Sequence, residues 1–305
     1  MNSDTDPNIK IRKKYLSFLK KQVAQGEPFY NKIEQLYKFY LPICDYIYKS
    51  FRSKKKLLII GLSGGQGSGK TTITQILKLI LKNKFNLNII NISIDDFYKT
   101  LHQRKKMAKN VHKLFLTRGV PGSHDLVLLN KCFKNLLNKK FKSFFIPQFD
   151  KSFDNRKNKK HWIKVKKKPD IVIFEGWCVG AKSQNKKDLK KPINYLEKNE
   201  DKDLIWRTAV NNELKIQYKK LFRLIDKLIF LQVPNFRYVL KWRLLQENKL
   251  KNKSKGKKIM SHLQIKKFIM FYERITKQML KKLKIDANIV IKLDKKHRLN
   301  AIRFN

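Results

Sequence analysis

Short runs rich in apolar residues recur along the chain. They cover residues 57–62, 87–94, 170–174, 227–233 and 287–293. Continuous β-branched and leucine runs of this length are typical of strands that are buried on both faces, because a half-exposed strand alternates apolar and polar positions. The stretches between the runs have helical character. The pattern therefore predicts an α/β fold in which helices cover both faces of a central parallel sheet.

The first part of the chain has a different pattern. Apolar residues recur at helical spacing from Phe29 to Ile47, and residues 9–52 are predicted to be helical. We predict an N-terminal helical segment, residues 1–52, packed against a domain of residues 53–305. The sequence contains no internal repeat and no convincing linker, so the 305 residues are predicted to form a single structural domain with a sizeable core.

Composition excludes several classes of protein. Hydrophobic residues make up 42% of the chain, which indicates a globular protein, and no apolar run approaches the roughly 20 residues that span a bilayer. The polar, acidic N-terminus resembles neither a signal peptide nor an organellar transit peptide. Cys44, Cys132 and Cys178 are far apart and form no CxxC pair, so neither a zinc site nor a disulfide framework is indicated. We predict a cytoplasmic protein with no membrane partner.

The net charge of +49 raises the question of a nucleic-acid partner. The basic residues are mainly lysines spread along the whole chain, whereas base recognition depends on arginine. The two densest runs, Lys157–Lys168 and Lys249–Lys258, are predicted to be solvated loops. The sequence contains no known nucleic-acid-binding motif, so no specific nucleic-acid partner is predicted. A nucleic-acid-stimulated NTPase remains the alternative from a different class.

The stretch from Gly64 to Thr71 carries the most specific chemical signal. It has the pattern glycine, four residues, then Gly-Lys-Thr, and it lies between a predicted strand and a predicted helix. Glycines let consecutive backbone N–H groups turn toward phosphate oxygens, and the helix N-terminus adds partial positive charge. Lys70 is expected to reach the β- and γ-phosphates of ATP, and the Thr71 hydroxyl is expected to bind Mg²⁺. The predicted nucleotide-binding residues of this phosphate loop are Gly64, Gly65, Gln66, Gly67, Ser68, Gly69, Lys70, Thr71 and Thr72.

Acidic residues follow two of the predicted strands. Open α/β sheets bind ligands at the carboxyl ends of their strands, where Asp95, Asp96 and Glu175 lie. Glu175 resembles a Walker B acid, which could hold Mg²⁺. Asp95 follows the strand that we expect beside the strand of the phosphate loop, and it is the predicted catalytic base. Asp96 remains the alternative base, and helix capping remains the alternative role for each single acid.

Two further segments, residues 118–125 and 147–156, are rich in charged residues. We predict that they bind the anionic group of a small substrate. The alternative is that both are surface turns with local ion pairs. The candidate substrate-binding residues are Arg118, His124, Asp125, Asp150, Lys151 and Arg156.

Motifs in the order of the chain carry a family resemblance. They are GLSGGQGSGKTT, SIDDFY, RGVPGSHD, PQFDKS and FEGWCVG, followed by LQVPN, KWRLLQE, FYERIT and LDKKHRL. Over roughly residues 30–300 the chain resembles the D-glycerate 3-kinase family of P-loop kinases, which is related to uridine kinase, phosphoribulokinase and pantothenate kinase.

The resemblance implies a P-loop NTPase-type fold. It also implies that MgATP phosphorylates the 3-hydroxyl of D-glycerate, giving 3-phosphoglycerate and ADP. It places the catalytic aspartate at Asp95 and assigns Arg237 and Arg243 to a mobile lid over ATP. A helix-surface role remains the alternative for each arginine. A kinase of the same fold that acts on a nucleoside, pantothenate or a sugar phosphate remains the alternative function. The oligomeric state is not predicted.

Overall fold

The computed structural model describes residues 7–24, 31–253 and 260–305. The described helices are α1 (Pro7–Ala24), α2 (Lys32–Gln35), α3 (Leu41–Lys54), α4 (Lys70–Phe85), α5 (Leu101–Asn110), α6 (Leu126–Leu137), α7 (Lys186–Lys190), α8 (Tyr195–Glu200), α9 (Ile205–Glu213), α10 (Lys219–Phe222), α11 (Phe236–Lys253) and α12 (His262–Asp286). The described strands are β1 (Leu58–Gly64), β2 (Ile89–Ser93), β3 (Phe144–Ile146), β4 (Phe149–Asp150), β5 (Asn155–Arg156), β6 (Ile163–Val165), β7 (Ile171–Gly176), β8 (Lys227–Gln232), β9 (Ile289–Leu293) and β10 (Leu299–Phe304).

The central sheet has the strand order β10-β9-β8-β1-β7-β2. All five predicted strands are present and run parallel to one another, which confirms the predicted fold class. The addition is β10, which pairs antiparallel with β9. Its pattern was not recognised in the sequence because a register shift between Leu299 and Ala301 interrupts the alternation of its side chains.

The position of β2 differs from the prediction. We expected β2 beside β1, the strand of the phosphate loop, but β7 lies between them and pairs with both. The order of strands along the chain does not fix their order in a sheet when helical crossovers connect them. Since neighbouring strands lie about 4.8 Å apart, the end of β2 is roughly 10 Å from the end of β1, and the end of β7 is between them.

Two apolar clusters pack on opposite faces of the sheet, because successive side chains of a strand point to opposite faces. Ile59 of β1 belongs to one cluster, whereas Leu58 and Ile60 belong to the other. Side chains of α6, α9 and α12 contribute to the first cluster, and side chains of α1, α3 and α4 to the second. Each fully buried Leu or Ile contributes about 1.5–3 kcal/mol, so both faces of the sheet stabilise the fold.

The N-terminal segment is helical, as predicted, over the residues that the structure describes. It consists of α1, α2, a π-helical turn (Leu36–Tyr40) and α3; residues 25–30, which were also predicted helical, lie outside the described residues. Ile11 and Tyr15 of α1 belong to the same apolar cluster as β1. The N-terminal helices therefore cover one face of the sheet directly.

The prediction of loops for the two lysine-rich runs was wrong in part. Residues 163–165 form β6, which pairs antiparallel with β3, and Lys249–Lys253 belong to α11. Residues 254–258 lie outside the described residues. Lysine is a good helix former and is frequent on exposed edge strands, so a lysine-rich run by itself does not predict a loop. None of the helices in the described ranges is both long and apolar enough to cross a membrane.

Candidate active site

The phosphate loop connects β1 to α4, as its sequence predicts. Gly67 and Gly69 have φ angles of 75° and 84°, a left-handed region that favours glycine. Lys70, the first residue of α4, donates hydrogen bonds to the carbonyl oxygens of Gly64 (2.8 Å) and Gly65 (3.0 Å). Burial lowers the pKa of Lys70, while the nearby Glu175 carboxylate acts in the opposite direction. The loop therefore holds a buried amino group at the point where its backbone turns.

Helix α11 and the turn between β9 and β10 pack against this loop. A Cβ atom on Gly67 would lie 2.9 Å from Cβ of Trp242, so glycine allows α11 to approach closely. The indole of Trp242 stacks on the imidazole of His297, with ring centroids 4.3 Å apart. His297 in turn lies over Gly69. The sequence analysis did not identify Trp242 or His297 as site residues, because nothing in the hydrophobic pattern relates the last hairpin to the phosphate loop.

The two predicted lid arginines lie on α11 in different surroundings. Arg237 is on its first turn and lines a groove of about 370 Å³. The other residues that line this groove are Pro234, Asn235, Tyr238, Lys241 and Lys295. Arg243 instead forms an ion pair with the buried Glu247 (2.7 Å) and lies over the ring of Phe268. Three basic side chains line the groove, whereas the guanidinium of Arg243 is held within the protein.

Glu175 is the last residue but one of β7, whose residues are all buried, and it pairs with Leu62 of β1 just before the phosphate loop. Burial raises its pKa, and the Lys70 ammonium and a hydrogen bond with Ser93 oppose that rise. The next residue, Gly176, has a structural reason to be glycine, because a Cβ atom there would lie 2.4 Å from Ile94. The absence of a side chain at Gly176 lets the turn that carries Asp95 pack against the end of β7.

Asp95 and Asp96 lie in a 3₁₀ turn (Ile94–Phe97) that follows β2. Asp95 accepts hydrogen bonds from the hydroxyl of Tyr98 (2.7 Å) and from Nζ of Lys151 (2.7 Å). Burial by itself would raise the pKa of Asp95, yet the Lys151 ammonium and these two hydrogen bonds hold it well below its usual value. Asp95 is therefore an ionised carboxylate at neutral pH.

Asp96 points to a different partner. Its carboxylate accepts hydrogen bonds from the amide of Phe149 (3.1 Å) and from the side chain of Gln148 (3.2 Å). Burial raises the pKa of Asp96. Asp96 thus anchors the segment 147–156, while Asp95 receives a side chain from that segment.

The charged segments 118–125 and 147–156 converge beside Asp95. Within them, Arg118 forms an ion pair with Asp154, and Arg156 forms an ion pair with Asp125 (2.9 Å). Asp125 also caps α6, since it accepts a hydrogen bond from the amide of Leu128 (3.0 Å). In the structure Arg118, Arg156 and Asp125 therefore form local ion pairs, which was the alternative to substrate binding.

Three other candidate residues in these segments have different partners. Asp150 accepts hydrogen bonds from the amides of Ser152 and Phe153 in its own turn. Lys151 is the residue whose ammonium meets Asp95. His124 is buried, and its ring stacks on the ring of Tyr98 with centroids 4.7 Å apart. Of the six predicted substrate residues, Lys151 and His124 lie in the immediate surroundings of Asp95.

Two tyrosines of this region were not identified from the sequence. Tyr98 lies three positions after Asp95 in the motif SIDDFY and could have been found from that spacing, since a tight turn brings residues i and i+3 together. Tyr218 lies in a π-helical turn (Leu214–Tyr218) far along the chain, and its hydroxyl contacts Nδ1 of His124 (2.6 Å). No sequence pattern connects Tyr218 to His124, because only the tertiary packing of that turn brings them together.

The chain is similar to several known proteins. Residues 59–209 match the Phosphoribulokinase / Uridine kinase family. A kinase of Schizosaccharomyces pombe, mug58, is 32% identical over 238 residues, which are 75% of this chain and 83% of that protein. The chloroplastic D-glycerate 3-kinase of Arabidopsis thaliana is 28% identical over 255 residues, which are 78% of this chain and 53% of the plant protein. The chain thus spans about half the length of the plant protein.

A solved structure has the same fold. The D-glycerate 3-kinase of Cryptococcus neoformans var. grubii superposes with a TM-score of 0.74 at 23% sequence identity, covering 87% of this chain and 99% of that one. At 23% identity this likeness shows the fold alone. The family follows from the Schizosaccharomyces pombe kinase, which is 32% identical, together with the matched domain. The chain belongs to the phosphoribulokinase/uridine kinase family and is an ATP-dependent P-loop kinase.

Proposed function

We propose that this kinase transfers the γ-phosphoryl group of ATP to the 3-hydroxyl of D-glycerate, giving 3-phosphoglycerate and ADP. The observation that carries the proposal is the contact between Lys151 and Asp95, 2.7 Å apart. It combines a carboxylate that can accept the proton of a hydroxyl with an ammonium that can bind an acid. In D-glycerate two carbons separate the 3-hydroxyl from the carboxylate, so both groups of one small molecule can meet these two side chains.

The nucleotide side of the site needs few further groups. Phosphoryl transfer depends mainly on positioning and on stabilising charge, and Lys70 with the amides of the phosphate loop supplies both for the β- and γ-phosphates. Arg237 lines a cationic groove at the start of α11, the helix that packs against the phosphate loop, and this groove suits the remainder of the nucleotide. Arg243 would serve as a lid residue after release from its ion pair with Glu247.

Thr71 and Glu175 are suited to hold Mg²⁺. In the described ranges no group of three or more His, Cys, Asp or Glu side chains could hold a metal ion. A kinase Mg²⁺ does not need such a group, because phosphate oxygens and water complete a shell to which the protein gives one or two ligands. Glu175 is a buried carboxylate beside Lys70, which fits this arrangement. When bound, Mg²⁺ would neutralise charge that develops on the transferred phosphoryl group.

Asp95 is the proposed base. Its low pKa keeps it ionised, so that it can orient the acceptor hydroxyl and take its proton late in the transfer. A weak base suffices because the transition state of phosphoryl transfer is loose and the hydroxyl loses its proton late. The strand order supports this role, since the roughly 10 Å between the ends of β1 and β2 leaves space for the γ-phosphoryl group and a small acceptor.

The identity of the acceptor is the part of the proposal that activity must test. We expect ADP release with MgATP and D-glycerate, and little or none with uridine, pantothenate or ribulose 5-phosphate, in a coupled assay with each acceptor in turn. The physical reason is that Lys151 would bind a carboxylate close to the base. Uridine and ribulose 5-phosphate have no carboxylate, and the carboxylate of pantothenate is many bonds away from its primary hydroxyl. Turnover of another acceptor without turnover of glycerate would replace glycerate by that acceptor. No stimulation by any of the four would contradict the metabolite-kinase proposal.

Replacing Lys151 by methionine tests the carboxylate contact. We expect the KM for glycerate to rise about 10- to 100-fold, because a charge-assisted hydrogen bond contributes about 1.5–3 kcal/mol, whereas the KM for ATP should change little. Lys160→Met is the matched control, since Lys160 is exposed in the same part of the chain. An unchanged KM for glycerate in Lys151→Met would limit Lys151 to its ion pair with Asp95.

A further inference from the structure

The His124 side chain has two ring nitrogens in unequal surroundings. Its Nδ1 lies 2.6 Å from the hydroxyl oxygen of Tyr218. Its Nε2 is buried and has no hydrogen-bond partner among the described residues. An unsatisfied buried polar atom costs about 1–3 kcal/mol, so its presence needs a reason. A substrate atom that binds next to it would supply the missing partner.

The Tyr218 hydroxyl determines which nitrogen of His124 carries the proton. The amide of Gly122 donates a hydrogen bond to the Tyr218 oxygen (3.1 Å), and the amide of His124 acts on the same oxygen. Because these amides already donate to the Tyr218 oxygen, the O–H group of Tyr218 is left to donate a hydrogen bond to an acceptor. The nearest acceptor is Nδ1 of His124, so the hydroxyl donates to Nδ1. A neutral imidazole with Nδ1 as an acceptor carries its proton on Nε2.

The neutral state follows from the surroundings of the ring. His124 is 1% exposed, and burial lowers its pKa to about 4, against the smaller opposing effect of Asp95. At neutral pH the ring is therefore uncharged, and Nε2–H is a hydrogen-bond donor.

The ring lies beside the proposed acceptor site. It stacks on Tyr98, whose hydroxyl donates a hydrogen bond to Asp95 (2.7 Å), and the charge of Asp95 acts on the pKa of His124. We propose that Tyr218 fixes His124 as the tautomer with its proton on Nε2, and that this N–H donates a hydrogen bond to an oxygen atom of the acceptor substrate. This inference rests on the proposed function in that the oxygen belongs to the acceptor. Tyr218 is then a positioning residue that acts through His124.

The tautomer can be measured without substrate. In the full chain labelled with [¹⁵N]histidine, long-range ¹H–¹⁵N spectra at pH 7 should show His124 with its proton on Nε2, and His124→Gln identifies its signals. Tyr218→Phe should raise the population with the proton on Nδ1, whereas Tyr195→Phe, at an exposed tyrosine, should not. A proton on Nδ1 of His124 in the wild-type protein, or an unchanged tautomer in folded Tyr218→Phe, would overturn the inference.

A pair of substitutions tests the hydrogen bond to the acceptor. The amide nitrogen of glutamine can occupy the place of Nε2, and that of asparagine the place of Nδ1. We expect His124→Gln to keep the KM for glycerate within a few-fold of wild type and His124→Asn to raise it about tenfold, the loss of about 1.4 kcal/mol. The KM for ATP should not change in either variant. A KM in His124→Asn equal to or below that of His124→Gln would contradict the donor role.

The two measurements separate this inference from the proposed function. If the wild-type protein does not phosphorylate glycerate, the proposed function fails, while the tautomer result still decides the role of Tyr218. The kinetic comparison then uses whichever of the other tested acceptors the protein phosphorylates. If glycerate is phosphorylated and the glutamine and asparagine variants do not differ, the proposed function stands and the role of His124 falls.

Discussion

Lys70→Ala is expected to lower ATP-dependent turnover by at least about 10²- to 10³-fold, the loss that follows removal of a single donor to a charged transition state. Lys70 is held by the carbonyl oxygens of Gly64 and Gly65 at the N-terminus of α4, where it can reach the phosphates of ATP. Steady-state rates of ADP release measure this loss. Lys78→Ala, at an exposed lysine of the same helix, should keep full activity.

The stability of the Lys70→Ala variant separates catalysis from folding. Burial lowers the pKa of Lys70, which means that the fold disfavours its charged form. The substitution removes this unfavourable burial along with two hydrogen bonds, so we expect a Tm close to that of wild type. A folded variant that retains more than about a tenth of the wild-type rate would contradict the assigned role of Lys70. A variant with a much lower Tm would show that the lysine is needed for the loop itself.

The sequence predicted the strand, turn and helix around the phosphate loop because these elements are local. The strand, the glycines, Lys70 and the following helix are consecutive, and each residue has its own reason for its position. Lys70 begins α4 and Gly69 has a positive φ, which the pattern of the phosphate loop implies. The parts that the sequence did not predict come from distant segments. Trp242 and His297 reach the same loop from α11 and from the last hairpin, and only packing brings them there.

The acceptor side could be predicted in residue type but not in pairing. The charge of the segments 118–125 and 147–156 indicated an anionic ligand, yet Arg118 and Arg156 find carboxylates within the protein. Composition cannot distinguish a ligand-binding arginine from one in an internal ion pair, because in both cases the same guanidinium N–H groups bind a carboxylate. The position of β2 was mistaken for a related reason, since a helical crossover can place a strand beyond its nearest neighbour.

Asp95 and Asp96 are adjacent in the chain, and the sequence left open which of them is the base. Their partners differ in the structure. Asp95 meets Tyr98 and Lys151, whereas Asp96 binds the amide of Phe149 and the side chain of Gln148. An acid with an exposed lysine as its partner can exchange that partner for a substrate, because the Lys151 side chain is 61% exposed. Asp96 cannot exchange its partners for a substrate in this way, because it would release the amide of Phe149 and with it the segment 147–156.

Asp95→Asn and Asp96→Asn therefore form a matched pair with opposite expected results. Asp95→Asn should lose about 10²- to 10⁴-fold in turnover while binding ATP as wild type does, because an amide can accept a hydrogen bond but not the proton of the acceptor hydroxyl. Asp96→Asn should keep most of the activity and lose some stability, since its amide group can still accept from Phe149 but repels the donor of Gln148. Turnover, ATP binding and Tm of both variants give the comparison. A larger loss of turnover in Asp96→Asn would make Asp96 the base.

The pH dependence of turnover tests the same assignment in the unmodified active site. Asp95 acts as a carboxylate, and Lys151 holds its pKa well below the usual value, so kcat should remain on its plateau as the pH falls through the ordinary range of aspartate. Lys151→Met removes the ammonium and its hydrogen bond while burial remains. The pKa of Asp95 should then rise, and the acid limb of kcat should move to higher pH. An acid limb at the same pH in both proteins would show that Lys151 does not control the ionisation of the base.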